Sequence, residues 1–130
     1  MRIMIDTNVI ISAVYNPTSK PAQVLNHVCT NYELVLCDYI ISECRDVITR
    51  KFPHHIIAFD KLLASLAYEL VSAPKDGLVM EDPKDSPILN AAVVAGVDVI
   101  ISGDKHFLLL DMKRPKVLSV AKYIETETYL

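Results

Sequence analysis

The sequence predicts an α/β protein in three layers, with helices on both faces of a central, mostly parallel sheet of about four to five strands. Short apolar runs alternate with helix-spaced segments along the chain, the order that builds βαβ units. The runs are continuous instead of alternating apolar with polar, as in strands covered on both faces. With 130 residues, 52% of them apolar, the chain can bury a full core without disulfides or a structural metal. Crossovers between parallel strands are then right-handed almost without exception.

Each element has a local cause. Ile3-Met4-Ile5 forms a strand, Arg2–Ile5, and Asp6-Thr7-Asn8 after it is a helix-capping sequence that opens a short helix over residues 9–14. Residues 15–21 form a loop by their turn chemistry. Pro21 suits a first helical position, and Val24, Leu25 and Val28 carry helical spacing over 22–30. Leu34-Val35-Leu36 lie in a second strand, Glu33–Cys37. Asp38 is expected to cap a helix over 39–51, which stops at Phe52 because the residue before a proline leaves the helical region. A helix over 55–67 leads to a third strand at 70–72, ended by Pro74. Residues 75–83 read as a polar loop. Residues 86–95 form an apolar helix with Gly96 as its cap. A buried strand spans 97–102, and Gly103-Asp104-Lys105 turns the chain after it. A short helical piece, a strand Lys116–Leu118 and a helix from Ser119 through 124 close the pattern.

The net charge is −3 and the pI about 5.7. That argues against a protein that coats nucleic acid by bulk potential. It permits one that grips nucleic acid around an acidic site whose sign bound cations invert. Cys29, Cys37 and Cys44 form no CxxC pair and sit among apolar residues, as free thiols of a reducing compartment do. Asp6 breaks the first apolar run at once, unlike a signal peptide. The longest apolar stretch, 88–101, contains Asn90, Gly96 and Asp98 and is too short and broken to span a bilayer. The expectation is one domain over residues 1–130, cytoplasmic and without membrane contact. The mean hydropathy of +0.29 hints at exposed apolar surface on the early helices, a face for a dimer or a partner.

Two strands deliver an acid just past their carboxyl ends: Ile3-Met4-Ile5-Asp6 and Val99-Ile100-Ile101-Ser102-Gly103-Asp104. That edge of an open α/β sheet is where ligands bind. Helix capping is a rival account of either acid alone. A third source is Glu81-Asp82-Pro83-Lys84-Asp85-Ser86-Pro87. Asp85 there points to the same edge, or serves only as a cap and macrodipole partner. Glu43, in the first turns of the helix after the second strand, is a fourth source or a solvated residue. Converging carboxylates repel one another and need a cation. Mg²⁺ and Mn²⁺ take such oxygen ligands and activate water against a phosphodiester. No His and Cys cluster has zinc spacing. Arg45, Lys84 and Lys105 lie near these motifs and can hold phosphates. A phospho-acceptor receiver domain needs an Asp after the third strand, and a haloacid-dehalogenase-type phosphatase needs Asp-x-Asp after the first. Ala73-Pro74 and Asn8 stand in those places.

The segments IMIDTNVIISA (3–13), ISE (41–43), DPKDSPILNAA (82–92) and ISGDKHFL (101–108) together resemble a PIN domain of the VapC toxin group of bacteria and archaea. The resemblance covers nearly the whole chain. It implies a PIN-like α/β/α fold and a Mg²⁺- or Mn²⁺-dependent endoribonuclease that hydrolyses single-stranded RNA. It also implies a toxin with a protein antitoxin as partner, often a homodimer. Carried over, Asp6 is the first metal-ligating acid, with Asn8 in support. Glu43 is the helix glutamate, Asp85 the acid before the apolar helix, and Asp104 the acid after the fourth strand. Ser102 holds the family's Thr or Ser place. Asp6, Asp85 and Asp104 are thereby the expected metal ligands, with Glu43 completing the catalytic set. Arg45, Lys105 and His106 are the expected substrate contacts. His106 stands where the family commonly has a further acid, which removes support for a second metal. The alternative reading is a PIN-fold protein that binds RNA or protein without turnover.

Overall fold

Strand β1 (Arg2–Ile5) is the middle of a five-stranded, all-parallel sheet in the computed structural model, which describes residues 1–74 and 86–127. The chain continues through α1 (Thr7–Tyr15), α2 (Lys20–Asn31), β2 (Glu33–Cys37), α3 (Asp38–Lys51), a 3₁₀ turn (Pro53–His55), α4 (Ile56–Ser65) and β3 (Tyr68–Val71). It resumes with α5 (Ser86–Val94), β4 (Val99–Ile101), α6 (Lys105–Leu108), β5 (Lys116–Leu118) and α7 (Val120–Glu127). The strand order is β3-β2-β1-β4-β5. Ile3 lies opposite Leu34 on one side and Val99 on the other. The chain thus builds outward from β1 in one direction and returns to β1's other side for β4. By the right-handed rule the crossovers before and after this reversal cover opposite faces of the sheet. The expected α/β/α class and parallel sheet are what the chain adopts.

Burial on both faces explains the continuous apolar strands. Ile3, Met4, Ile5, Val35, Leu36, Ile100 and Ile101 have no exposed surface. Phe59 of α4 and Phe107 of α6 are also fully buried. The edge strand β3 is wetter, with Leu70 exposed. No helix among the described residues is long and apolar enough to cross a membrane.

Several local expectations are corrected. α2 starts at Lys20, one residue before the expected first position at Pro21, because Ser19 caps it: Ser19 Oγ accepts from Ala22 N at 3.3 Å. Asp38 is the first residue of α3 instead of its cap. Its Oδ1 accepts from Tyr39 N at 2.8 Å and from Ala73 N at 2.9 Å, so it ties α3 to the end of β3. β3 begins at Tyr68, earlier than expected, because parallel pairing sets Tyr68 opposite Leu34. Glu69 hides that strand in the sequence; its carboxylate pairs with Arg2 at 2.6 Å. Gly96 caps α5 as expected, at φ +67°, with Val97 N donating to Ala92 O and Gly96 N to Val93 O, the paired bonds of a Schellman end. The expected loop at 75–83, with Asp82, and likewise Lys84 and Asp85, lies outside the described residues.

Ile100 is fully buried in β4, beside the central strand. Ile100→Ala should cost roughly 2–5 kcal/mol, measured by urea unfolding with an unchanged m-value. A loss below about 1 kcal/mol would contradict a close-packed sheet centre.

Candidate active site

Asp6 and Ser102 owe their positions to the sheet backbone. Asp6 N donates to Ile101 O at 3.1 Å, and Ser102 N donates to Leu118 O at 2.9 Å. Each ladder therefore runs one residue past the regular strand, with both residues at the carboxyl edge between β1 and β4. The order of strands reverses there, so neighbouring crossovers diverge and leave a crevice.

Within it the side chains form a continuous series of hydrogen bonds. Asp6 Oδ1 accepts from Val9 N at 3.2 Å and so caps α1. Asp6 Oδ2 accepts from Ser102 Oγ. Ser102 Oγ in turn accepts from Asp104 N at 3.0 Å. Asp104 Oδ1 accepts from His106 N at 2.7 Å and caps α6. Capping and site formation are thus not rivals: Asp6 caps with one oxygen and faces Ser102 with the other.

The electrostatics place the acids in one field. Asp6 is only 3% exposed, and its carboxyl is pushed up to about 6, above all by burial. The Ser102 hydroxyl and the Val9 N–H pull it back down, while the charges of Asp104 and Glu43 push it further up. Glu43 is half-buried on α3, and Tyr39, one turn earlier, donates its hydroxyl to Glu43 Oε2 at 3.4 Å. The next residue, Cys44, is fully buried and directs Sγ to Thr7 O at 3.7 Å, bracing α3 against the start of α1. Burial, with the nearby Glu43 and Asp6 charges, pushes its thiol up, which keeps it a neutral core residue. Cys37 is equally buried and Cys29 partly so, all three as free thiols.

The remaining candidates are placed as follows. Asn8 is exposed in the first turn of α1. Lys105 is exposed and His106 half-buried at the start of α6. Arg45, two residues beyond Glu43, occupies another face of α3. It pairs with Asp60 at 2.9 Å and lies over the Phe59 ring at 5.3 Å, so its charge is engaged by α4. Asp85 lies outside the described residues. Sequence reasoning missed Tyr39 and Asp38 as neighbours of the site. The signal for Tyr39 was its four-residue spacing from Glu43, which sets both on one helix face.

The donor set is all carboxylate and hydroxyl oxygen, which suits a hard divalent cation. Burial, with a smaller push from the Asp104 and Glu43 charges, raises Asp6, and a cation at the carboxylate would favour its charged form. Among the described residues no group of three His, Cys, Asp or Glu stands ready to hold a metal. Asp6 and Asp104, linked through Ser102, form the described part of the donor set.

The model of the PIN domain family matches residues 2–106. No curated protein matches the sequence. Among solved structures, a chain of VapBC2 from Rickettsia felis, bound to a DNA fragment from their promoter, is similar in fold with a TM-score of 0.70. It is 14% identical, over 92% of this chain and 98% of that one. VapC20 of Mycobacterium tuberculosis, a sarcin-ricin loop cleaving toxin, is similar with a TM-score of 0.55. It is 9% identical, over 75% of this chain and 86% of that one.

Asp6 sets a pH dependence whose sign follows from its surroundings. Its folded value of about 6 exceeds the ordinary 3.8, so its contribution to stability is full below that ordinary value and is lost as pH rises through 6. In metal-free buffer, wild type relative to Asp6→Asn should lose on the order of 3 kcal/mol between acidic and mildly alkaline pH. Denaturant unfolding of both proteins across that range checks it; a difference that stays flat with pH would contradict the buried, crowded carboxylate.

Proposed function

Because the chain belongs to the PIN domain family, we propose that it is a metal-dependent endoribonuclease of single-stranded RNA, the toxin of a toxin–antitoxin pair. The hydrogen-bonded series Asp6–Ser102–Asp104 at the β1/β4 edge carries this reading. It joins the Asp6 carboxylate to the backbone of Asp104, and the charges of Asp104 and Glu43 both act on Asp6.

In this reading Asp6, Asp104 and Asp85 hold Mg²⁺ or Mn²⁺. The bound ion supplies an activated water and positive charge at the phosphate. Asp6 is held by backbone and by Ser102, so its free lone pairs keep one direction before substrate arrives. Ser102 acts through its neighbours: a single hydroxyl donates to one acid and accepts the backbone N–H of the other, which sets their spacing. Glu43 hydrogen-bonds the attacking water and orients it toward phosphorus, while Tyr39 steadies Glu43. Asn8 supports Asp6 from the first turn of α1. Lys105 and His106, beside Asp104, contact the phosphate chain. With His106 in place of a further acid, one ion suffices for the reading. Arg45, in a half-exposed ion pair with Asp60 that is easily exchanged, remains a further phosphate contact in this reading.

The proposal includes one nuclease domain over residues 1–130, a cytoplasmic location, a homodimer and a protein antitoxin. The fold shared with VapBC2 and VapC20 supports the antitoxin and the RNA substrate respectively.

Purified protein should cleave single-stranded RNA with Mg²⁺ or Mn²⁺ and stop on chelation. Asp6→Asn and Asp104→Asn should each lower kcat roughly 100-fold or more, the loss of several kcal/mol of charge stabilisation. Ser102→Ala should lower it roughly 10- to 100-fold, as loss of ligand-orienting partners does. RNA binding without cleavage in either ion would instead make the chain a PIN-fold binding module.

A further inference from the structure

A cavity of about 490 Å³ opens beside Glu43, lined by Asp38, Tyr39, Ser42, Ala73, Pro74 and Pro87. Such a volume lies within the roughly 300–1,000 Å³ of small-molecule sites. Asp38 and Tyr39 follow the end of β2, Ala73 and Pro74 follow the end of β3, and Pro87 is in the first turn of α5. All three places belong to the carboxyl edge that carries Asp6 and Asp104. Tyr39 joins cavity to site, since its hydroxyl reaches Glu43 Oε2.

The lining selects the ligand. No Lys, Arg or His is among the described lining residues, and Asp38 is an acid, so a phosphate is disfavoured. An aromatic ring and two prolines give flat apolar walls, which suit a planar ring. Asp38 Oδ1 is occupied by Tyr39 N and Ala73 N. Its Oδ2 has no hydrogen-bond partner among the described residues. It is an acceptor that an amino group satisfies.

We propose that this cavity is a nucleobase subsite of the RNA, seating an amino-bearing base with Tyr39 as the stacking surface and Asp38 Oδ2 as the acceptor of the exocyclic amine. The proposal rests on the nuclease reading for its substrate and adds a base preference to it. Cytosine and uracil separate the two terms, because cytosine carries an amine where uracil carries a carbonyl oxygen. Tyr39 serves either base by stacking. Asp38 favours cytosine alone.

The test is binding of oligocytidylate and oligouridylate of one length to the Asp6→Asn protein, which retains the cavity. Oligocytidylate should bind about tenfold more tightly, as expected for one hydrogen bond to a charged group. Asp38→Asn, added to that protein, keeps a carbonyl oxygen for Tyr39 N and Ala73 N but turns the other position into a donor. The preference should then move to uridylate, with unfolding temperature little changed. Tyr39→Ala should weaken both oligonucleotides roughly tenfold, while Tyr39→Phe keeps the ring and most of the affinity. Equal affinity for the two oligonucleotides, or a cytidylate preference untouched by Asp38→Asn, overturns the subsite even if wild type cleaves RNA. A preference that Asp38→Asn reverses upholds it even if wild type fails to cleave, and only the nuclease reading then falls.

Discussion

Everything around the site depends on a carboxylate buried at the end of the central strand. Asp6 is almost fully withdrawn from water, and an ionised group there is costly unless its oxygens are satisfied. Val9 N and Ser102 Oγ supply those bonds. They do not cancel the cost, since the carboxyl still sits well above its ordinary range with Asp104 and Glu43 adding to it. The fold therefore maintains an electrostatic tension at one point. In the proposed reading a divalent cation resolves it, so that one arrangement is a stability liability without the ion and the place that holds it with the ion.

Topology is what makes that point accessible. Parallel strands require crossovers, and the strand order β3-β2-β1-β4-β5 puts those from β1 to β3 on one face of the sheet and those from β3 to β5 on the other. The gap opens at β1 and β4, where Asp6 and Ser102 end the ladder. α3 brings Glu43 to the same edge from the neighbouring strand. Cys44, which bonds Thr7 O, braces that helix against α1. The cavity at Asp38 and Tyr39 extends the same logic one strand outward.

What could be read from the chain was what local sequence determines. β1, β2 and β5 have the expected bounds because each is an apolar run with polar flanks. Asp6 and Asp104 stand out because a strand followed by Asp is a pattern of a few residues. Gly96 signals its cap for the same reason. Misreadings cluster where the deciding partner is distant. Glu69 disguises β3, since its charge is accounted for only by Arg2. Asp38 looks like a cap until Ala73, on another strand end, takes its oxygen. Ser102 had its place by motif, but its bond to the Asp6 carboxylate is a product of adjacent strands.

The central claim is that Asp6 and Asp104 share one divalent ion. A crystal soaked in Mn²⁺ tests it directly, through the anomalous signal of the metal. One peak bonded to carboxylate oxygens of both Asp6 and Asp104, absent from Asp6→Asn crystals, is the result predicted. No peak between these residues, or one that persists unchanged without the Asp6 carboxylate, would contradict the account.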